Sequence, residues 1–127
     1  MRSGIIALAA LLSTAAAAQA ADTLAAGTIY GGPAQATAVC YFYNAGNTTL
    51  SLVGPHMADA NGSILTLAVN QCGATLLPGR ACGIAADIAG NQIYSCETVV
   101  SPSKANARGI LEVRDWNQVS LQNIQLR

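Results

Sequence analysis

An all-β sandwich is the fold class the sequence predicts, and three observations predict it. Seven short segments alternate apolar and polar residues, and turn-forming residues separate them at intervals of about 8–12 residues. No stretch beyond the first 20 residues sustains the 3.6-residue period of an amphipathic helix. Four cysteines follow an export-like leader, which points to two disulfides. The expectation is about seven or eight short strands in one disulfide-held domain, preceded by a cleaved signal-peptide helix.

The leader comes first. Met1-Arg2 is a short positive region, Gly4 to Ala18 is an apolar run, and Ala18-Gln19-Ala20 has the A-x-A form of a cleavage site. The predicted division is a signal peptide over 1–20 and one domain over 21–127. An uncleaved anchor helix is the alternative reading, because Gly4 to Ala18 is only slightly short of spanning length. The brief basic region and the abundance of alanine look bacterial, so the expected location is periplasmic or secreted.

Charge narrows the function classes. Beyond Ala20 stand five basic residues (Arg80, Lys104, Arg108, Arg114, Arg127) and six acidic ones (Asp22, Asp59, Asp87, Glu97, Glu112, Asp115). That balance excludes a strongly basic nucleic-acid groove and a polybasic membrane patch. No second apolar run approaches the roughly 18 residues that span a bilayer. The polar surface must come from Asn, Gln, Ser and Thr, which act through short hydrogen bonds and shape rather than long-range steering.

The cysteines are Cys40, Cys72, Cys82 and Cys96, separated by 32, 10 and 14 residues. Zinc sites usually contain close C-x₂₋₄-C pairs, and none is present, nor is a C-x-x-C redox motif. Three disulfide pairings are possible. Between Cys72 and Cys82, Pro78-Gly79 fits the centre of a type II turn, with Pro fixing φ and Gly supplying positive φ. The chain then folds back and joins Cys72 to Cys82, leaving Cys40 to pair with Cys96. Loops of about 11 and 57 residues are closed, worth about 3 and 4 kcal/mol in the chain-entropy account.

The predicted strands, in order, are Ala36 to Tyr43, Thr49 to Val53, Ser63 to Val69, Cys82 to Ile88, Tyr94 to Val100, Arg108 to Asp115 and Gln118 to Leu126. Asn44-Ala45-Gly46-Asn47, Asn61-Gly62, Pro78-Gly79, Gly90-Asn91, Ser101-Pro102 and Trp116-Asn117 mark the turns. Asn61-Gly62 is the strongest hairpin signal among them. The last segment changes phase between Leu121 and Ile124, which predicts a bulge.

Cys72-Gly73, Leu77-Pro78-Gly79 and Cys82 together resemble a motif of immunoglobulin-like domains of the abnormal-spindle/hydin type and their bacterial relatives. In those domains an alternating strand follows the second Cys, then a Gly-led strand, then a terminal one. The counterparts are Ile84-Ala86-Ile88, Gly109-Ile110-Leu111-Glu112-Val113 and Val119-Ser120-Leu121. The resemblance covers roughly the C-terminal half. Tyr94, two residues before Cys96, looks like an immunoglobulin tyrosine corner. The sole Trp stands near the C-terminus rather than in the core-strand position, and an extra Cys pair is present. The chain is also similar to small uncharacterised secreted bacterial proteins with C…L-x-P-G-x-x-C…Y-x-C…R-G-x-L-E-x-R-D. What the resemblance implies is a fold and export, not an activity.

Little in the sequence points to catalysis. His56 is the only histidine, with Asp59 three residues on, but no Gly-flanked Ser elbow accompanies it and the cysteines are expected to be oxidised. His56-Met57 also offers an imidazole and a thioether, a pairing that suits copper, so a small periplasmic copper-handling protein is the alternative function. Ser101-Pro102-Ser103-Lys104 matches S-x-x-K without the S-D-N and K-T-G elements that chemistry needs. Glu112 and Arg114 share a strand face and are expected to form a solvated pair worth at most about 1 kcal/mol.

Binding residues are easier to nominate. Trp116, at a predicted hairpin tip, is either an exposed aromatic of the hot-spot type or folded back onto the sandwich edge. Tyr41 and Tyr43 share a face opposite to that of Cys40 and Phe42. If Cys40 points inward, they form a platform, unless the N-terminal Ala-rich segment covers them. The expected function is that of an exported non-enzymatic module with a binding or structural role in the cell envelope or a secreted assembly, its partner a protein or a glycan. No cofactor is implied. The strand ending at Arg127 is an expected sheet edge, weakly guarded against pairing, with Trp116 at its rim.

Overall fold

The structure, a computed structural model, describes residues 20–127. The expected signal segment lies outside them, except for Ala20. Nine strands follow: β1 (Asp22–Ile29), β2 (Gln35–Asn44), β3 (Leu50–Asp59), β4 (Val69–Asn70), β5 (Thr75–Leu76), β6 (Ala81–Asp87), β7 (Tyr94–Ser101), β8 (Ala107–Asp115) and β9 (Ser120–Leu126). A single 3₁₀ turn, Lys104–Asn106, precedes β8. The strands form two antiparallel sheets, ordered β1-β7-β3-β5 and β4-β6-β2-β8-β9. The fold is a β-sandwich.

Alternation builds its core. In β2, Ala38, Cys40 and Phe42 are buried while Tyr41 and Tyr43 face out; in β7, Tyr94, Cys96, Thr98 and Val100 are buried in turn. Cys40–Cys96 joins the central strands of the two sheets inside this core, with Cα atoms 6.5 Å apart. Cys72–Cys82, with Cα atoms 5.0 Å apart, staples the connection after β4 to the start of β6. Both pairings agree with the turn argument. Gly79 has φ +68°, and the Arg80 N–H donates to the Leu77 carbonyl at 3.1 Å, closing the predicted reversal.

Three segments depart from the expected strand list. The Ala-rich stretch after the expected leader is a strand, β1, with Leu24, Ala26 and Ile29 buried and its ladder on β7. Alanine is a poor β-former, so this strand exists through its tertiary pairing rather than its own propensity. Thr49 to Val53 extends through Asp59, because a bulge at Gly54-Pro55 lets β3 resume its pairing with β7 at His56. Ser63 to Val69 is not a hairpin strand. The Asn61-Gly62 turn forms, but only an isolated bridge between Ala58 and Ile64 follows it. The chain then crosses to the other sheet as β4, resting Leu65 and Leu67 on the core. The bulge expected in the last strand is present. Val113 pairs with Gln122 and Arg114 with Ser120, leaving Leu121 extra.

Buried polar side chains hold the two ends. Asn44 donates through Nδ2 to the Thr48 and Leu76 carbonyls, both at 2.8 Å, and its Oδ1 accepts from the Gly46 N–H. At the opposite end Gln35 donates to the Ala89 and Gln92 carbonyls and accepts from the Gly31 N–H. The Tyr94 hydroxyl accepts from the Ala89 N–H at 2.9 Å, five residues upstream.

Candidate binding surface

With Cys40 in the core, parity sends Tyr41 and Tyr43 to the outer face of the five-stranded sheet, where they are 40% and 43% exposed. Among the described residues the Ala-rich stretch does not cover them, because β1 belongs to the other sheet. Register decides what surrounds them. Tyr41 lies between Gly83 on β6 and Ile110 on β8, and Tyr43 between Ala81 and Arg108. Gly83 is the fitted partner: a β-carbon there would stand 3.2 Å from the Tyr41 ring. The missing side chain allows the ring to lie down over the β6 backbone.

A charge pair fixes the ring's other end. Arg114 Nη2 donates to Glu112 Oε2 at 2.8 Å and to the Tyr41 hydroxyl at 3.2 Å. The pair is more sheltered than the sequence suggests, with Glu112 17% and Arg114 24% exposed. The hydrogen bond from Arg114 holds the Glu112 carboxyl below the usual carboxylate range, and the same bond raises the guanidinium pKa. Beside Tyr41 a trough of about 350 Å³ runs along β2 and β6, with Arg114, Gln71, Gln118, Thr37 and Asp87 on its walls. A smaller apolar hollow lies between Tyr41, Tyr43 and Ile110. The face thus presents two aromatic rings among amides, a hydroxyl, a carboxylate and a guanidinium.

The other nominated residues are scattered. Trp116 is 81% exposed at the β8–β9 tip and does not fold back. Asp115 braces that turn, its Oδ1 accepting from the Asn117 and Val119 N–H groups. His56 and Met57 do not form one site. Neighbours on a strand point to opposite faces, so Met57 is fully buried while His56 faces out, 3.4 Å from Glu97. The copper alternative fails on this point. Asp59 is turned away from His56 to cap the following turn, accepting from the Asn61 and Ser63 N–H groups. Ser103 caps the 3₁₀ turn and Lys104 Nζ donates to the Thr23 carbonyl, so the S-x-x-K match has a local structural use. Among the described residues no three His, Cys, Asp or Glu side chains gather as metal ligands, and no helix is long and apolar enough to cross a membrane.

Gly83 is the surface residue that sequence reasoning missed, and Arg114, expected only as the partner of Glu112, gains a second contact at Tyr41. Alternation placed the tyrosines on a face, but only cross-strand register shows which side chains flank them. No protein family, curated protein or solved structure matches the chain.

Proposed function

We propose that the chain is an exported, disulfide-held binding module of immunoglobulin-like type, periplasmic or secreted, whose contact surface is the outer face around Tyr41 and Tyr43. The carrying observation is the trough beside Tyr41, where an aromatic ring laid over Gly83 adjoins planar polar groups on Arg114, Gln71, Gln118 and Asp87. Aromatic faces with convergent hydrogen-bonding groups suit a ligand with an apolar face and hydroxyl edges, so a neutral glycan is the favoured partner class. Two disulfides support an oxidising compartment. The Tyr94 hydroxyl bond to Ala89 and the inter-sheet Cys40–Cys96 bridge support the immunoglobulin-like kinship.

Affinity electrophoresis through gels containing neutral envelope or matrix polysaccharide tests the reading. The expected result is retardation that Tyr41→Ala weakens roughly tenfold, about 1.4 kcal/mol, with both disulfides intact. Retardation unchanged by Tyr41→Ala and Tyr43→Ala, or absent for every polysaccharide, would overturn the glycan assignment.

A further inference from the structure

β9 closes one side of the five-stranded sheet, and its outer edge is only partly covered. The Ala25 N–H donates to the Arg127 carbonyl at 3.1 Å, and the Arg127 N–H donates back at 2.9 Å. That is one antiparallel residue pair between β1 and the chain end. Continued antiparallel pairing would set Gly27 opposite Gln125, but the strands part there. The gap is a groove of about 620 Å³ lined by Ala25, Gly27, Asn123, Ile124, Gln125 and Arg127. Backbone groups alternate sides along a strand, so Arg127 facing outward means that Gln125 and Asn123 face outward too. Each leaves an N–H and a carbonyl unpaired at the edge.

We infer that a second copy of this chain occupies this edge, β9 pairing antiparallel with its partner's β9 about a two-fold axis at Ile124. The register follows from what is free. An axis at Ile124 sets Asn123 opposite the partner's Gln125, and the reverse, so four backbone hydrogen bonds use the four open groups of each edge. It also sets the bulge at Leu121 opposite Arg127, the position already held by β1. A bulge bends its strand, so the partner turns aside where the edge is taken.

Side-chain chemistry selects a like partner. A two-fold brings residues against themselves or their near neighbours, which charged edges resist. From Ser120 to Leu126 β9 carries no charge. Ile124 is opposite Leu111 on the inner face and only partly buried, packed against the core. In the dimer it meets its own copy as a close, non-hydrogen-bonded β-branched pair, a favourable cross-strand contact. On the outer face the exposed amides of Asn123 and Gln125 meet each other. The result is one ten-stranded sheet carrying both tyrosine faces on the same side, which makes the binding surface bivalent.

Sedimentation of the oxidised protein, expressed from its full sequence, tests this independently of any glycan. The expected result is a concentration-dependent dimer. Asn123→Lys with Gln125→Lys sets lysines opposite lysines at exposed positions and is expected to weaken the dimer roughly 100-fold or more. Asn123→Lys with Gln125→Glu sets each Lys opposite a Glu and retains it. Gln125→Pro removes an outward N–H without touching the β8 ladder and also yields monomer. A parent chain monomeric at about 0.5 mM, or a dimer indifferent to the double-lysine change, would falsify the proposal. Equal loss in the Lys/Lys and Lys/Glu variants would overturn this register.

Discussion

The two flanks of the sandwich end in opposite ways. On one, the sheets finish in β4 and β5, two residues each, and Cys72–Cys82 staples the connection between them to β6. On the other they finish in β1 and β9, eight and seven residues long, joined through a single residue pair. Short, covalently tied edges offer little for another strand to copy; a long, uncharged one such as β9 offers a row of donors and acceptors. The chain is therefore guarded on one side and receptive on the other. The tyrosine face spans the sheet between them.

Removing the guard should give the largest effect. Cys72→Ala with Cys82→Ala releases the closed flank and is expected to cost about 3 kcal/mol in denaturant unfolding. Hydrogen exchange should rise first at β4 and β5 while β8 and β9 keep their protection. Uniform loss of protection across both flanks would show that the staple stabilises the whole sandwich rather than one edge.

A smaller loss is expected from Asn44→Leu. Asn44 ties β2 to the Leu76 carbonyl on β5 and is fully buried, so the change strands three polar partners at the closed end. The expected cost is about 2 kcal/mol, measured by urea unfolding. An unchanged midpoint would mean that water satisfies those groups as well as the amide does.

The smallest effect belongs to the open flank and depends on pH. Glu112 lies on β8 opposite Asn123 of β9, and its carboxyl pKa is lowered below the usual 4.5, chiefly by Arg114. A depressed carboxyl stabilises the fold above its unfolded pKa, and that contribution disappears as pH falls through the lower folded value. Thermal unfolding should therefore show a loss of at most about 1 kcal/mol on acidification below pH 4.5, absent in Glu112→Gln. An identical acid profile in Glu112→Gln would assign the acid sensitivity to other carboxylates.

Local chemistry made much of the closed flank readable. Pro78-Gly79 can hardly do anything but reverse the chain, and that reversal names the Cys72–Cys82 partner. Alternation in β2 likewise set Cys40 and Phe42 on one face and the two tyrosines on the other, since side-chain parity is a property of the strand alone, and the burial of Cys40 then turned the tyrosines outward. The one-residue slip between Leu121 and Ile124 announced its bulge for the same reason.

Pairing decided the rest. An alanine-rich segment has no strong preference of its own, so β1 became a strand only because β7 offered it a ladder. Ser63 to Val69 alternates like a strand, yet its backbone found partners in two different sheets and became a crossing. His56 and Met57 are adjacent in the chain and separated by a sheet. Tyr41 gained Gly83 and Arg114 as neighbours from strands 42 and 73 residues away, a choice of register that no local signal encodes. The openness of β9 is of the same kind. A strand's sequence determines which side chains face in and out, but only the packing of two whole sheets determines which backbone groups are left without a partner.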